Sequence, residues 1–531
     1  MRNFESPGRS LAASTGAMAA TSHAVATVTA LQIMERGGNA VDAAVAACAV
    51  QGVVEPGSTG IGGDCFALVA REGTDDVIAI NGSGRAPRAA TAAWYRDAGI
   101  DGLDRHSPHA VTVPGAVDAW ARLIADHGRL SLADVLAPAI RLARDGYAVT
   151  PRVAYDWAAQ AALLGQDATT RAIFLPDGKP PAVGDRHRQP ALGEILARIG
   201  RDGRSAFYEG EVAAEMVDYL QGLGGLHTGE DFSGAESSYV TPIRTSFRGY
   251  DVLESPPNGQ GIIALMILNI LSHFKGQGDP VGIDRLHVEI EATRLAYGVR
   301  DAYLADTDHA AMPIDWMLSD TLAADLASRI DLRHALPPTR ITPPGVEHTD
   351  TVYISVVDRD RTAVSLINSL FNPFGSGLTT PRSGILLHNR GQGFRLEPDH
   401  PNAIGPRKRP LHTIIPGLLA RDGRAVMPFG VMGGHYQAMG HAHLLSKVLD
   451  FGLDLQSAID LPRLFPLHDS RIVEMEEPLY RSVGLDLRAR GFEVERASGP
   501  IGGAQAIWID RARGTLLGGS DPRKDGCALG L

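Results

Sequence analysis

The stretch GVEHTDTVYISVVDRD, residues 345–360, puts a strong strand signal directly after a linker. The segment before it, ALPPTRITPPGV at residues 335–346, is rich in proline, which is typical of a linker. From Thr351 onward the residues are β-branched or aromatic, so a strand is predicted to begin abruptly at that threonine. Because alternate side chains of a strand share a face, we expect Thr351 on the same face as Tyr353, Ser355 and Val357.

A threonine at this position gains catalytic chemistry if the chain is cut before it. Its hydroxyl can attack the carbonyl of Asp350 in an N→O acyl shift, and hydrolysis of the resulting ester frees a new amino terminus. An α-amine titrates near ~7.7–8, so it can act as general base to its own side-chain hydroxyl. Thr351 is therefore predicted to become both an amino terminus and a nucleophile. Without the cut, it is an ordinary strand residue.

Length and composition exclude several functional classes. The chain has 531 residues, a net charge of −11 and no basic block, which argues against nucleic acid and anionic membrane as partners. We expect no membrane span and no secretory signal, and hence a cytoplasmic protein. The cysteines show no CxxC spacing and are interpreted as small buried hydrophobic residues: Cys48, Cys65 and Cys527.

The remaining pattern predicts strand-rich layers between helices. Gly37 and Gly38 end one predicted helix, and Asn39 caps the next. Strands are expected in CFALVAR (65–71), DVIAING (76–82), GILLHNRGQGF (384–394), AVMPFGVMGG (425–434), RIVEME (471–476) and QAIWID (505–510), besides a hairpin over residues 351–371. This arrangement favours an α/β layered sandwich over an alternating βα barrel.

Residues 350–391, DTVYISVVDRDRTAVSLINSLFNPFGSGLTTPRSGILLHNRG, resemble the start of the small subunit of the γ-glutamyltranspeptidase family of self-processing N-terminal-nucleophile hydrolases. Further motifs before and after this stretch occur in the same order as in the family: GAMAATSHAVAT, GGNAVDAAVAA, VVEPGSTGIGGDCFALV, VTVPGAVDAW, SPPNGQG, NAIGPRKRPLHTIIPGLL and FGVMGG. The resemblance implies a four-layer αββα sandwich, one domain made from two subunits. Cleavage between Asp350 and Thr351 would give a large subunit, 1–350, and a small subunit, 351–531.

The resemblance also assigns roles to single residues. It implies that Thr351 is the nucleophile and that the hydroxyl of Ser369, on the paired strand, hydrogen-bonds it. It implies that the backbone N–H groups of Gly433 and Gly434 stabilise a tetrahedral oxyanion, where glycine allows close approach. Taken alone, Ser369 is a hairpin serine and Gly433-Gly434 a plain turn. No cofactor and no metal are implied, and the partners are a small amide substrate and the chain's own second subunit, with a dimer of the two-subunit unit as a further expectation.

The sequence departs from the glutamyl-transferring members of the family at the substrate site. The arginine that holds the substrate carboxylate in those members is replaced by Ser83, and Arg85, two residues on, is a candidate for its role. Arg390 and Gly393 stand in the segment where an amide and an acid are expected. The site thus loses its receptor for an ammonium group and gains a guanidinium.

Two further positions change in the same direction. A substrate-contacting asparagine on the hairpin is replaced by Phe371, and a serine pair that contacts the carboxylate is replaced by His412 and Thr413. Arginine recognises a carboxylate bidentately. We therefore predict hydrolysis of the amide bond of a small carboxylate-bearing substrate without an α-amine, as in relatives such as oxamate amidohydrolase. The alternatives are a cephalosporin or glutaryl acylase, a genuine γ-glutamyl transferase or glutathione hydrolase, and an unprocessed, non-catalytic binding protein.

Other features are assigned no function. His435, His441 and His443 lack the H-E-x-x-H spacing of a metal hydrolase and are interpreted as helix-surface or dimer-contact residues. The GIGGD segment, residues 60–64, is a weak match to a phosphate-binding loop. His348 is interpreted as a linker histidine.

Overall fold

Two seven-stranded sheets face each other and carry helices on their outer faces. The computed structural model describes residue 5 and residues 8–338, 351–467 and 470–531. Asp350, His348 and the linker prediction from residue 339 onward lie outside the described residues.

The strands, in chain order, are β1 (Ala12–Ser14), β2 (Met18–Thr21), β3 (Asp64–Ala70), β4 (Val77–Gly82), β5 (Tyr147–Ala148), β6 (Arg186–His187), β7 (Ser238–Val240), β8 (Ile243–Phe247), β9 (Tyr250–Glu254), β10 (Val352–Val357), β11 (Ala363–Ser369), β12 (Leu378–Thr379), β13 (Leu386–Leu387), β14 (Gly417–Arg421), β15 (Arg424–Met432), β16 (Leu464–Pro466), β17 (Ile472–Met475), β18 (Glu493–Arg496), β19 (Gly503–Asp510), β20 (Thr515–Ser520) and β21 (Cys527–Gly530). The first sheet has the order β21-β2-β10-β11-β3-β4-β7, and the second has the order β1-β20-β19-β15-β14-β9-β8. The other strands form three small sheets: β5-β6, β12-β13 and β16-β17-β18.

The helices are α1 (Ala24–Glu35), α2 (Ala40–Val54), α3 (Ala92–Asp97), α4 (Ala116–His127), α5 (Leu132–Asp145), α6 (Pro151–Ala159), α7 (Ala161–Leu164), α8 (Ala168–Phe174), α9 (Pro190–Asp202), α10 (Ser205–Tyr208), α11 (Gly210–Gly222), α12 (Gly229–Ser233), α13 (Gly261–Ser272), α14 (Ile283–Tyr303), α15 (Ile314–Met317), α16 (Asp320–Ser328), α17 (Gln437–Leu449), α18 (Leu455–Asp460) and α19 (Glu477–Ala489). Short 3₁₀ turns span Pro108–Ala110, Pro176–Gly178, Arg390–Gly393 and Gly434–Tyr436.

Apolar side chains on the outer face of each sheet pack against the helices, which form the two outer layers. Ile354 and Val356 of β10 share a buried cluster with α1 and α2, while Phe429 and Val431 of β15 share another with α13, α14 and α17. The Asn39 side chain accepts the N–H groups of Val41 and Asp42, as its predicted capping role requires. The predicted four-layer αββα sandwich is confirmed.

The alternation of β10 places Thr351 between the two sheets. Tyr353 and Ser355 point toward the second sheet, because Ser355 Oγ donates to the carbonyl of Pro428 on β15 at 3.0 Å. A side chain at Gly430 of β15 would overlap the ring of Tyr353, so glycine lets the sheets approach there. Since side chains repeat every two residues, Thr351 lies on this inner face, at the end of the sandwich.

Two expectations about local structure are wrong. The GILLHNRGQGF segment is a strand only over Leu386–Leu387, because its glycine-rich second half turns into the 3₁₀ helix Arg390–Gly393. His441 and His443 do not lie on a helix surface. Both are buried in α17 and hydrogen-bond carboxylates of other elements.

Three further observations concern the cysteines, possible membrane-spanning helices and possible metal-binding groups. Cys48 and Cys65 are buried, and Cys527 is partly buried. Across the described ranges, no helix is long and apolar enough to span a bilayer. In that same part of the chain, no three His, Cys, Asp or Glu side chains are grouped so that they could hold a metal ion.

Candidate active site

The centre of the site is a pair of hydroxyls on neighbouring strands. β10 and β11 are antiparallel with Val352 opposite Asn368, so the residues one step further out, Thr351 and Ser369, also meet. Their Oγ1 and Oγ atoms are 3.1 Å apart, and both residues are buried. Ser369 Oγ also accepts the N–H of Phe371 at 2.8 Å. Either hydroxyl of the Thr351–Ser369 pair can be the donor of the hydrogen bond between them.

Arg390 lies next to this hydroxyl pair, on the side of Ser369. Its Nη1 donates to Thr413 Oγ1 at 2.9 Å, and its Nη2 is 3.5 Å from Ser369 Oγ. The guanidinium carbon sits 4.2 Å from the centre of the Phe371 ring, so the ring covers one face of the cation. Burial lowers the pKa of Arg390, and the charge of Asp64 opposes that change. The Nη edge of this buried cation therefore faces two hydroxyls rather than a carboxylate.

Asp64, the first residue of β3, is the acid of the cluster. Its Oδ1 accepts the N–H groups of Gly84 at 2.9 Å and Gly115 at 3.2 Å. Its Oδ2 accepts from His412 Nε2 at 2.8 Å and lies 3.5 Å from His388 Nδ1. Burial acts to raise the pKa of Asp64, but the contacts with His388 and His412 outweigh it and the pKa falls below its usual range. Asp64 is thus an internal carboxylate with both oxygens in use.

His412 and Thr413 have different parts in the site. Burial, and then the charge of Arg390, lowers the pKa of His412 to about 3, so its imidazole is neutral near pH 7. Its Nε2 then carries the proton that is donated to Asp64. Of these two residues, Thr413 is the one that hydrogen-bonds the guanidinium of Arg390, through its hydroxyl.

The Gly433-Gly434 turn follows β15 at the same end of the sandwich. Ser355 of β10 contacts Pro428, and Tyr353 packs on Gly430, so two more residues along each strand bring Thr351 level with Met432 and the turn. The two glycines have φ values of +126° and +56°, a region that other residues rarely adopt. Gln260 Nε2 donates to the carbonyls of Gly434 and Thr413, both at 2.9 Å.

Arg85 points away from the hydroxyl pair. Its Nη2 donates to Asp308 Oδ2 and its Nη1 to the carbonyl of Arg407, both at 2.9 Å, and Asp306 is 3.6 Å from Nη1. The backbone just before it does touch the cluster through the Gly84 N–H. Within the described residues, however, the polar contacts of the Arg85 guanidinium are these three, so the structure brings Arg390, and not Arg85, to Thr351.

Asp64 and His388 were missed by the sequence reasoning. GIGGD lies in a family motif, and GILLHNRGQGF contains the candidates Arg390 and Gly393, but the sequence assigns no role to Asp64 or His388. One signal was present: an aspartate that opens an otherwise apolar strand must find partners once it is buried. The candidates for those partners were three basic residues near the other motifs: His388, Arg390 and His412.

A four-layer αββα sandwich with a buried threonine at the start of a central strand defines the class of N-terminal-nucleophile hydrolases. A model of the gamma-glutamyltranspeptidase family matches residues 26–531. The chain is 37% identical over 522 residues to the glutathione hydrolase-like YwrD proenzyme of Bacillus subtilis (strain 168), covering 97% of this chain and 98% of that protein. It is 34% identical over 531 residues to the oxamate amidohydrolase proenzyme of Klebsiella pneumoniae, covering 97% and 99%.

The fold of the chain also matches that of a solved structure. The crystal structure of cephalosporin acylase from Bacillus halodurans superposes with a TM-score of 0.93 at 37% identity, covering 100% of this chain and 99% of that one. The protein belongs to the γ-glutamyltranspeptidase family. It is an enzyme of the hydrolase class, and the alternative of a non-catalytic binding protein is set aside.

Proposed function

We propose that the protein is a self-processing threonine amidohydrolase that hydrolyses the amide bond of a small carboxylate-bearing substrate without recognising an α-amine. The observation that carries this proposal is the position of Arg390. Its Nη edge lies between the hydroxyls of Thr413 and Ser369, and Ser369 Oγ is 3.1 Å from Thr351 Oγ1. A substrate carboxylate held by this edge places the neighbouring carbonyl carbon beside the nucleophile.

Processing between Asp350 and Thr351 gives fragments 1–350 and 351–531. The fragments remain one folded unit, because the first sheet alternates strands from both: β2, β3, β4 and β7 precede the cut, and β10, β11 and β21 follow it. Thr351 is only 1% exposed in the uncut chain. The proposed cleavage frees the α-amine that serves as the general base.

The reaction then runs in two steps. The α-amine of Thr351 takes the proton of the hydroxyl as Oγ1 attacks the amide carbon, and the proton passes to the leaving nitrogen as the C–N bond breaks. Water attacks the ester that remains, the bond to Oγ1 breaks, and the free carboxylic acid leaves with the hydroxyl restored. The N–H groups of Gly433 and Gly434 hold the oxyanion of both tetrahedral intermediates.

The electrostatics disfavour a substrate ammonium. Asp64 is the carboxylate nearest to Arg390 among the described contacts, and its oxygens are already bound by two backbone N–H groups and His412. Phe371 presents an aromatic ring where a polar side chain would be needed to receive an amine. Among the described residues of the site, a γ-glutamyl group thus finds a partner for its carboxylate in Arg390 and no free acid for its amine.

A cephalosporin or glutaryl acylase is the second candidate. A glutaryl group also ends in a carboxylate and lacks an α-amine, so Arg390 can hold it in the same way. The close superposition on a cephalosporin acylase favours this alternative. The small oxamate-like amide is our first choice because Phe371 and Arg390 are both buried and in contact, which favours a small acyl group.

The deciding experiment compares the intact masses of wild type, Thr351→Ala and Thr351→Ser. We expect two fragments divided between Asp350 and Thr351 in the wild type and in the serine variant, which keeps a hydroxyl, and a single 531-residue chain in the alanine variant. Turnover of oxamate, a glutaryl amide and γ-glutamyl-p-nitroanilide is then measured on the processed protein. An uncut wild type, or hydrolysis by Thr351→Ala, contradicts the proposed function, and preference for γ-glutamyl-p-nitroanilide contradicts the proposed substrate.

A further inference from the structure

The end of β15 extends beyond its neighbour in the second sheet. β14 pairs with β15 only as far as Gly417 opposite Phe429, so the last residues of β15 have no β14 partner. On that strand the N–H of Val431 donates to the side chain of His441, at 3.2 Å from Nε2. Val431 is two residues before Gly433. A side chain of α17 therefore takes the place of a strand at the point where the chain turns into the glycine pair.

The tautomer of His441 follows from this contact. A backbone N–H can only donate, so Nε2 is the acceptor and the ring proton lies on Nδ1. Nδ1 then donates to Glu254 Oε1 of β9, at 2.6 Å. Both side chains are fully buried. Burial raises the pKa of Glu254 against the opposing effect of His441, but Oε1 can accept from Nδ1 in either charge state of the acid.

A second residue on the same face of α17 makes a parallel contact. Gln437, four residues before His441 and hence one turn away, accepts the N–H of Ile415 at Oε1, at 3.1 Å. Ile415 is two residues after Thr413. Between the two contacts, a Cβ at Gly440 would come within 2.7 Å of Val431 Cγ1, so the helix lies directly against the strand end. One helix face thus holds both backbone segments that border the proposed site.

We propose that His441, fixed by Glu254, is a positioning residue for the proposed hydrolysis: it holds the backbone of Val431 and so the direction of the Gly433 and Gly434 N–H groups. The inference rests on the proposed function, because it takes these N–H groups as the oxyanion donors. The two glycines have no side chain to fix their own conformation, so the orientation of their N–H groups depends on what holds the chain on either side. His441 acts on the strand side, and Gln260 acts on the carbonyl of Gly434.

The test compares His441→Leu with His443→Leu. His443 lies on the same helix and is also buried, but it binds Glu289 of α14 instead of β15. Hydrolysis of p-nitrophenyl acetate is measured on processed protein, since this activated ester reports on the nucleophile and oxyanion site whatever the acyl preference. Oxyanion contacts tighten in the transition state, so His441→Leu is expected to lower kcat roughly 10- to 100-fold with KM within about twofold. His443→Leu is expected to lower Tm while kcat of the folded enzyme is kept.

Rescue by the conservative variant separates positioning from packing. In His441→Gln the amide can accept from Val431 and donate to Glu254, so most of kcat should return. In His441→Asn the shorter side chain cannot reach both, and kcat should stay low. If His441→Leu does not fold, the Gln and Asn pair decides the question alone. Equal kcat in all folded variants, or a change confined to KM, overturns the inference. Retention of ester hydrolysis by Thr351→Ala would instead overturn the proposed function.

Discussion

Two buried clusters in this protein each combine a carboxylate, an arginine and histidine, and they differ in what the arginine faces. In the Glu289 cluster, between α14 and α17, one carboxylate receives Lys447 Nζ at 2.6 Å, Arg285 Nε at 2.7 Å and His443 Nδ1 at 2.9 Å. In the Thr351 cluster the acid is Asp64, and the Nε of Arg390 is 3.9 Å from it. The nearer partners of Arg390 are hydroxyls.

This difference separates a structural arginine from one that can bind a ligand. Arg285 forms ion pairs with Glu289 and Asp450, and Arg85 forms ion pairs with Asp306 and Asp308. Arg390 is buried like Arg285, whereas Arg85 is partly exposed, and the edge of Arg390 that suits a carboxylate faces Ser369 and Thr413. Burial and residue type alone do not distinguish Arg390 from Arg285, whereas the partner of the Nη edge does.

Removal of the central acid of the Glu289 cluster should have the largest effect on stability. Burial acts to raise the pKa of Glu289, but Lys447, His443 and Arg285 hold it well below its usual range, so the residue is a carboxylate. Glu289→Gln leaves buried cations without compensation and should lower the free energy of unfolding by about 3–5 kcal/mol. Urea unfolding of the uncut Thr351→Ala chain, with and without Glu289→Gln, measures the change.

The control for this variant is Glu194→Gln, in the exposed pair with Arg144. Exposed pairs contribute little, so this change should stay within about 1 kcal/mol. In the processed enzyme, Glu289→Gln should leave kcat of the folded fraction unchanged. A fall in kcat that matches the loss of stability would show that the Glu289 cluster also supports the site, and the proposed separation of the two clusters would be wrong.

The two arginines considered for the substrate carboxylate provide the next test. Arg390→Lys keeps a charge but loses the fork that faces Thr413 and Ser369, so about 2–3 kcal/mol of binding should disappear. That is roughly a 30- to 150-fold loss of kcat/KM for a carboxylate-bearing amide. Arg85→Lys should change kcat/KM by less than about twofold. Both variants are assayed in parallel on the carboxylate amide and on a neutral amide of the same length.

The neutral amide separates binding from damage to the nucleophile. If Arg390 binds the carboxylate, Arg390→Lys should affect the neutral amide much less than the charged one. Equal losses on both substrates would mean that Arg390 serves only to hold Ser369. A larger loss in Arg85→Lys than in Arg390→Lys would place the carboxylate at Arg85 and not at Arg390.

The sequence was sufficient for the features that depend on neighbouring residues. The alternation of β10 and the length of the hairpin place Thr351 beside Ser369, because strand period and register are local properties. Partners far apart in sequence were not predictable in the same way: Asp64 and His412 are separated by 348 positions. Arg85 was a candidate because it lies two residues after Ser83, where the resemblance expects an arginine, and this position in the sequence does not reveal that the side chain contacts Asp308.

The histidines of α17 show the same limit. Their polar character suggested a helix surface, but both meet acids supplied by distant elements, Glu254 of β9 and Glu289 of α14. A helix that is covered by other helices and by a sheet can bury polar residues only if such partners exist. The sequence of α17 by itself contains no sign of them.

The pH dependence of stability should show one smaller effect that the two clusters share. Burial is the first cause that lowers the pKa of both buried histidines, to about 3 for His412 and about 4 for His443. Both are neutral in the folded protein and bind a proton on unfolding below the ordinary pKa of about 6.5. The unfolded state thus binds more protons between pH 6.5 and about 4, and stability falls as the pH falls through this range. Each histidine contributes a slope of about 1.4 kcal/mol per pH unit.

In the uncut Thr351→Ala background, His412→Gln and His443→Gln should each remove one such slope in urea unfolding at pH 7, 6 and 5. An unchanged slope in His412→Gln would mean that His412 is already protonated in the fold, and Asp64 would then be paired with a cation, as Glu289 is.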